Sequence, residues 1–201
     1  MKDLEKLLEK GRRSHQAGQI VQAVRTYRQI LQAEPERADV LHLLGTALYQ
    51  QDDLDGALDA LTKANGLQPD FAPTLTNMGL AYQGLGDAER ALAAFSRALE
   101  IDPAQPETLS NLGSVLATLD RLDEAADACG RAVALAPQSA EAQSNLGNVL
   151  HAQKRLDEAE VAYRRAIEIN PAFAAAFFNL GDLLHETRQL GEALEMIDRA
   201  L

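Results

Sequence analysis

A step of 34 residues governs this chain. It carries Gly11 to Gly45, Gly79, Gly113, Gly147 and Gly181, and Ala23 to Ala57, Ala91, Ala125, Ala159 and Ala193. The same step joins Ala64, Ala98, Ala132, Ala166 and Ala200, where Ile30 is the one departure, and Pro35, Pro69, Pro103, Pro137 and Pro171. With the glycine numbered as position 8 of the unit, six copies tile residues 4–37, 38–71, 72–105, 106–139, 140–173 and 174–201, and the last stops at position 28. Chance does not hold a register this long. The chain is an array in which each unit buries its apolar face against its neighbours, which makes residues 1–201 one domain.

Each unit reads as two helices. Gly and Asp cluster between them, as in Gln51-Asp52-Asp53 and Gly84-Leu85-Gly86-Asp87, and the recurring proline ends the second. At ~100° per residue, positions 4, 7, 8 and 11 of the first helix form one stripe, for example Leu41, Leu44, Gly45 and Leu48. In the second helix the stripe is positions 17, 20, 24 and 27, for example Leu156, Ala159, Tyr163 and Ala166. Glycine within a helix costs about 1 kcal/mol relative to alanine. Its retention at position 8 of every copy therefore predicts a close approach of the two helices there, beside the small residue at position 20.

A 34-residue helix–turn–helix unit with Gly at 8, Ala at 20, Ala at 27 and Pro at 32 resembles the tetratricopeptide repeat. The resemblance covers residues 4–201 and implies an all-α fold, a right-handed α-solenoid of antiparallel helix pairs. It implies a binding scaffold rather than an enzyme, but leaves the partner open, because the fold hosts many. The first copy is atypical, with Lys10, Ser14 and Ile30 at positions 7, 11 and 27. The last ends at Arg199-Ala200-Leu201 with no polar helix after it, which predicts either a further domain or an open edge at which two copies could pair.

Opposite the core stripe, positions 2, 5, 6, 9, 12 and 13 of the first helix share about 120° of arc. Stacked, these faces would line a concave groove. Position 6 reads Glu9, Leu43, Asn77, Asn111, Asn145 and Asn179. Four successive asparagines make a ladder of groups that both donate and accept hydrogen bonds. It resembles the asparagine ladder in the tetratricopeptide superhelix of O-linked N-acetylglucosamine transferases, which implies that Asn77, Asn111, Asn145 and Asn179 grip the backbone of an extended peptide. The alternative is that they solvate the helix face or bond a neighbouring helix. Also on this face are His42 and Phe178 at position 5, Asn148 and Asp182 at position 9, and His15, His151 and His185 at position 12. Phe178 is a candidate anchor for a peptide. His151 and His185 with Asp182 fall short of a tetrahedral metal site and read as groove polar groups. Acidic residues such as Asp39, Glu107, Glu141 and Asp182 outnumber Arg12 there, with Thr76, Ser110 and Ser144 neutral in the middle, so a basic or neutral partner segment is expected. The basic clamp with which some tetratricopeptide domains hold acidic chaperone tails is not matched, since Leu8, Arg12, Pro73 and Asn77 occupy its places.

The net charge of −11 argues against nucleic acid and anionic membranes as partners. No apolar run approaches the ~20 residues of a membrane span, and the opening MKDLEKLLEKGRRSHQ lacks the apolar stretch of a signal peptide. A single cysteine, Cys129, rules out an internal disulfide and suits a reducing cytoplasm. It sits at position 24 among Tyr27, Leu61, Phe95, Tyr163 and Ile197 of the other copies and reads as a buried apolar residue, not a nucleophile. Gly84-Leu85-Gly86-Asp87 lacks the third glycine and the strand of a dinucleotide site, and His185-Glu186 lacks the second histidine of a metalloprotease motif. No catalytic residue, cofactor or metal is expected. Two further readings remain: the substrate-recruiting or regulatory N-terminal region of a larger transferase, such as a glycosyltransferase, and a self-assembling scaffold.

Overall fold

The computed structural model describes residues 2–200, so Met1 and Leu201, where the sixth repeat stops, lie outside the described residues. Within them the chain is all-α. It forms two compact units, Met1–Pro103 and Ala104–Leu201. The first holds α1 (Lys2–Gln16), α2 (Ile20–Ala33), α3 (Ala38–Gln50), α4 (Leu54–Leu67), α5 (Ala72–Gly84) and α6 (Ala88–Ile101). The second holds α7 (Pro106–Thr118), α8 (Leu122–Leu135), α9 (Ala140–Ala152), α10 (Leu156–Ile169), α11 (Ala174–Glu186) and α12 (Leu190–Ala200). Each repeat is thus one antiparallel pair, and the pairs stack as tetratricopeptide repeats do. In the first unit α2 packs on α3, α4 on α5, and α3 on α5; in the second α8 packs on α9, α10 on α11, and α9 touches both α7 and α11.

The turn inside each pair explains where the first helix stops. Position 15 is left-handed in every repeat, at Gly18, Asp52, Gly86, Asp120, Lys154 and Arg188, with φ between 58° and 75°. In each, the N–H of position 15 donates to the carbonyl of position 12, and the N–H of position 16 to the carbonyl of position 11, as in Lys154 to His151 and Arg155 to Leu150. This closes the helix with two nested bonds that satisfy carbonyls of its last turn. Asp53 and Asp87 then open α4 and α6 by accepting from the backbone N–H of Gly56 and Arg90. Glycine pays nothing for a left-handed conformation, whereas a long side chain costs about 1 kcal/mol or more. Lys154→Gly is therefore expected to stabilise the protein by about 1 kcal/mol, read as a rise in the midpoint of urea unfolding. A lower midpoint would mean that the lysine's ion pair with Glu186 outweighs the backbone strain.

Position 8 is as close-packed as its glycine demands. A Cβ built there would lie within 2.3–2.8 Å of the side chain at position 24, namely Tyr27, Leu61, Phe95, Cys129, Tyr163 and Ile197 in turn. Cys129 is fully buried by this contact, and burial pushes its thiol up to about 12. The buried stripe is wider than the expected positions 4, 7, 8 and 11. Positions 3 and 10, such as Val40 and Ala47 or Ala142 and Val149, are also buried, as is position 23 of the second helix at Ala60, Ala94, Ala128 and Ala162. Position 17 is only half-buried in most copies, and Leu190 is exposed. The reason is that α3, α5, α9 and α11 each touch both their own partner and the second helix before them, whereas the pattern within one helix pair reflects one of those contacts.

Arg37, just before α3, ties the first unit together locally. Its guanidinium holds Asp39 through two hydrogen bonds of 2.9 and 2.7 Å, and reaches Glu34 and Glu5, each at 3.0 Å. Hydrogen bonds from Arg37 hold the Asp39 carboxyl below its ordinary value.

Candidate functional site

The first-helix face that the sequence assigns to a groove carries a cavity in the first unit. Its volume is about 740 Å³, within the ordinary range for ligand sites. Asp39, His42, Leu43, Arg12, His15 and Gln50 line it, from positions 2, 5, 6, 9, 12 and 13 of α1 and α3, which is the full set expected to face a ligand. Two aromatic residues complete the wall. Tyr27, from core position 24 of α2, is buried but lines the cavity, and Phe71 comes from the residue just before α5. Sequence reasoning missed both. By its position in the repeat Tyr27 belongs wholly to the core. The one signal for Phe71 is a large aromatic where a helix would more usually place a capping residue.

The polar groups of this cavity are partly committed to each other. His15 contacts the Tyr27 hydroxyl through Nδ1 at 3.3 Å and the Gln50 carbonyl oxygen through Nε2 at 3.0 Å. Because Gln50 Oε1 only accepts, Nε2 carries a proton; in neutral His15 the Tyr27 hydroxyl then donates to Nδ1. His42 sits edge-on to Phe71, with ring centres 5.3 Å apart, and its Nδ1 lies 3.0 Å from Thr74 Oγ1. Burial pushes the His42 imidazole below its ordinary value, which keeps it neutral at neutral pH. Asp39 spends both oxygens on Arg37.

The asparagines bond backwards to the preceding repeat. Asn77 Nδ2 donates to Thr46 Oγ1 at 2.8 Å in the first unit. In the second, Asn145 Nδ2 donates to Ser110 Oγ at 2.9 Å, and Asn179 Nδ2 to Asn148 Oδ1 at 2.8 Å and Ser144 Oγ at 3.4 Å. Asn111 is half-buried on the same face of α7. Ser110 and Ser144, expected as open groove lining, are buried at 4% and 2% exposure. The asparagine of the next repeat lies over each of them.

A second cavity on this face, about 320 Å³, is lined by Asn145 and Asn148 with Ser114 and Thr118. Asn148 Oδ1 also accepts from the Tyr163 hydroxyl at 2.9 Å, so one carbonyl serves two donors. Burial, and then the charge of Asp182, push the Tyr163 hydroxyl above the usual tyrosine range. His151 meets neither His185 nor Asp182. Its Nε2 lies 2.7 Å from Glu186 Oε2, and Lys154 binds the other oxygen at 3.0 Å. Hydrogen bonds from His151 and Lys154 hold Glu186 below the usual glutamate range. Asp182, His185 and Phe178 are exposed, Phe178 at 59%. Among the described residues no three His, Cys, Asp or Glu side chains are placed to hold a metal ion, and no helix is long and apolar enough to cross a membrane.

Known proteins share this architecture. The family model described as the cilia and flagella-associated protein 70 C-terminal domain matches residues 2–201. No curated protein matches the chain. The crystal structure of MamA is similar at 29% identity, with 78% of this chain and 92% of that one covered and a TM-score of 0.68. YrrB, described as a TPR protein with an unusual peptide-binding site, is 27% identical over 87% of this chain and 90% of its own, with a TM-score of 0.68. A tetratricopeptide repeat protein from Parabacteroides merdae superposes over 99% of this chain and 79% of that one at a TM-score of 0.83; at 22% identity it bears on the fold alone.

Proposed function

Since the chain belongs to the tetratricopeptide-repeat family described as the cilia and flagella-associated protein 70 C-terminal domain, we propose that it is a non-catalytic protein-interaction scaffold that holds an extended polypeptide segment along its first-helix face. The observation that carries this reading is the orientation of the ladder. Asn77, Asn145 and Asn179 each commit the amide nitrogen to the preceding repeat. The carbonyl oxygen of each is then the group left to accept from the backbone N–H of a bound chain. The ladder has two roles in this account: it holds neighbouring first helices in register, and it presents acceptors at repeat spacing. The likeness to YrrB supports the reading. Exposed Glu107, Glu141 and Asp182 favour a basic or neutral segment, and a compartment that keeps Cys129 reduced, such as the cytoplasm, suits the chain.

The test uses twelve-residue peptides selected from a random display library on the full chain. Replacing Asn77, Asn111, Asn145 and Asn179 by Ala is expected to weaken the selected peptides by about tenfold or more, with the helical circular dichroism signal retained. Unchanged affinity in a folded variant would overturn the ladder's role in binding.

A further inference from the structure

The cavity of the first unit differs from the rest of the face in having an aromatic wall and a balanced charge. We propose that it is a side-chain pocket for a tyrosine of the bound segment. This rests on the peptide-binding reading above and names what that site selects.

Three observations point to this occupant. The first is the wall: His42, Phe71 and Leu43 supply an apolar surface carrying two rings, with the fully buried Tyr27 behind it. The edge-on His42–Phe71 pair holds two of those rings in fixed relative orientation. A further ring stacked or edged against them is favoured beyond the area it buries, which an aliphatic side chain of equal size does not gain. The second is charge. In a chain of net charge −11, this cavity is lined by one cation, Arg12, and one anion, Asp39, whose two oxygens are already held by Arg37. His42 is kept neutral by burial. With one charge of each sign in the lining, neither a lysine nor a glutamate finds a net opposite charge there, so a neutral side chain is the complement. The third is the rim. Gln16, Gln50 and Gln68 bring amide groups to the mouth, which suits a side chain with an apolar body and one polar tip. The volume, about 740 Å³, also leaves room for the backbone on either side of the ring.

The cavity on this face of the second unit differs. There Asn148 Oδ1 takes up Asn179 and the Tyr163 hydroxyl, His151 and Lys154 share Glu186, and the cavity beside Asn145 is less than half the size, lined by Ser114, Thr118, Asn145 and Asn148 with Ala117 and Val149 and by no aromatic ring. The side-chain pocket is therefore a property of the first unit.

The experiment titrates the full chain, labelled with 15N, with acetylated and amidated pentapeptides Ser-Gly-X-Gly-Ser in which X is Tyr, Leu, Lys or Glu, and follows amide shifts by NMR. The Tyr peptide is expected to shift residues around Leu43, Gln50 and Phe71, with an affinity about tenfold above those of the other three. Phe71→Ala, at a partly exposed position, should abolish that preference and leave the spectrum of the second unit unchanged. Equal affinities, or a preference for Lys, Leu or Glu at these residues, would overturn the tyrosine assignment while leaving the groove as a peptide site. Shifts confined to Asn145 and Asn179 would do the same. No shifts with any peptide at solubility-limited concentration would overturn both readings.

Discussion

Gly79→Ala lowers the stability of this protein by about 2 kcal/mol, a fall of some 4–8 °C in melting temperature for a chain of this size. The expectation comes from one contact. A Cβ at residue 79 would lie 2.5 Å from Cε1, 2.6 Å from Cδ1 and 2.8 Å from Cζ of Phe95. Phe95 is fully buried, so its ring cannot swing into solvent, and the two helices must move apart. The better helix propensity of alanine, about 1 kcal/mol, offsets only part of that overpacking. Two comparisons isolate the cause. Gly130 lies inside α8 with nothing within 4 Å of the same Cβ, so Gly130→Ala should raise stability by up to about 1 kcal/mol. The same change at two helical glycines thus has opposite signs. In a Phe95→Ala background, itself about 3–5 kcal/mol less stable, the ring is gone and Gly79→Ala should turn neutral or favourable. Urea unfolding of the four proteins gives the coupling directly. Additive effects would mean that Phe95 does not dictate the glycine.

Arg37→Ala should destabilise by about 1–2 kcal/mol at neutral pH, and the deficit should shrink in acid. The wild-type guanidinium gathers Asp39, Glu34 and Glu5. Removing it leaves three carboxylates near one another without their shared cation. Each of them is at least about a third exposed, so water and salt screen part of the effect, and the figure is kept well below that for a buried network. The sign of the pH dependence follows from Asp39. Its folded value is lowered, first by the hydrogen bond from Arg37. The stabilisation is therefore present above the unfolded value of about 4 and lost as pH falls through the folded one. Wild type and variant should differ most between about pH 5 and 8, and the difference should shrink as pH falls below about 4. A deficit that stays constant with pH would assign the effect to lost packing of the arginine side chain instead.

Much of the architecture could be read because the same steric demand is repeated in every copy. Gly at position 8 and the larger residue at position 24 meet within one helix pair, at short range in sequence, and the period brings that contact back six times. Helix count and pairing follow from the same local geometry, and the first-unit cavity is lined from positions 2, 5, 6, 9, 12 and 13 of α1 and α3, whereas position 5 is buried at Ser110 and Ser144. The left-handed turn at position 15 was partly legible too, in Gly18 and Gly86; Lys154 and Arg188 hide it, because a long side chain gives no outward sign of its backbone angle.

What could not be read is whatever depends on the contact between one repeat and the next. Asn145 meets Ser110 from 35 residues away, Asn77 meets Thr46 from 31, and His151 takes Glu186 rather than the nearer Asp182. The period identifies which positions face which side. It does not say which of several polar neighbours at similar separation a side chain will reach, since that turns on ångström-level offsets between stacked helices. Tyr27 shows the same limit inside a single repeat. By its position it belongs to the core, and its ring is buried there, but the offset of α1 over α2 carries its hydroxyl to His15 and into the cavity wall. Repetition in the chain sets the fold, whereas the chemistry of the face is set by how closely one pair settles on another.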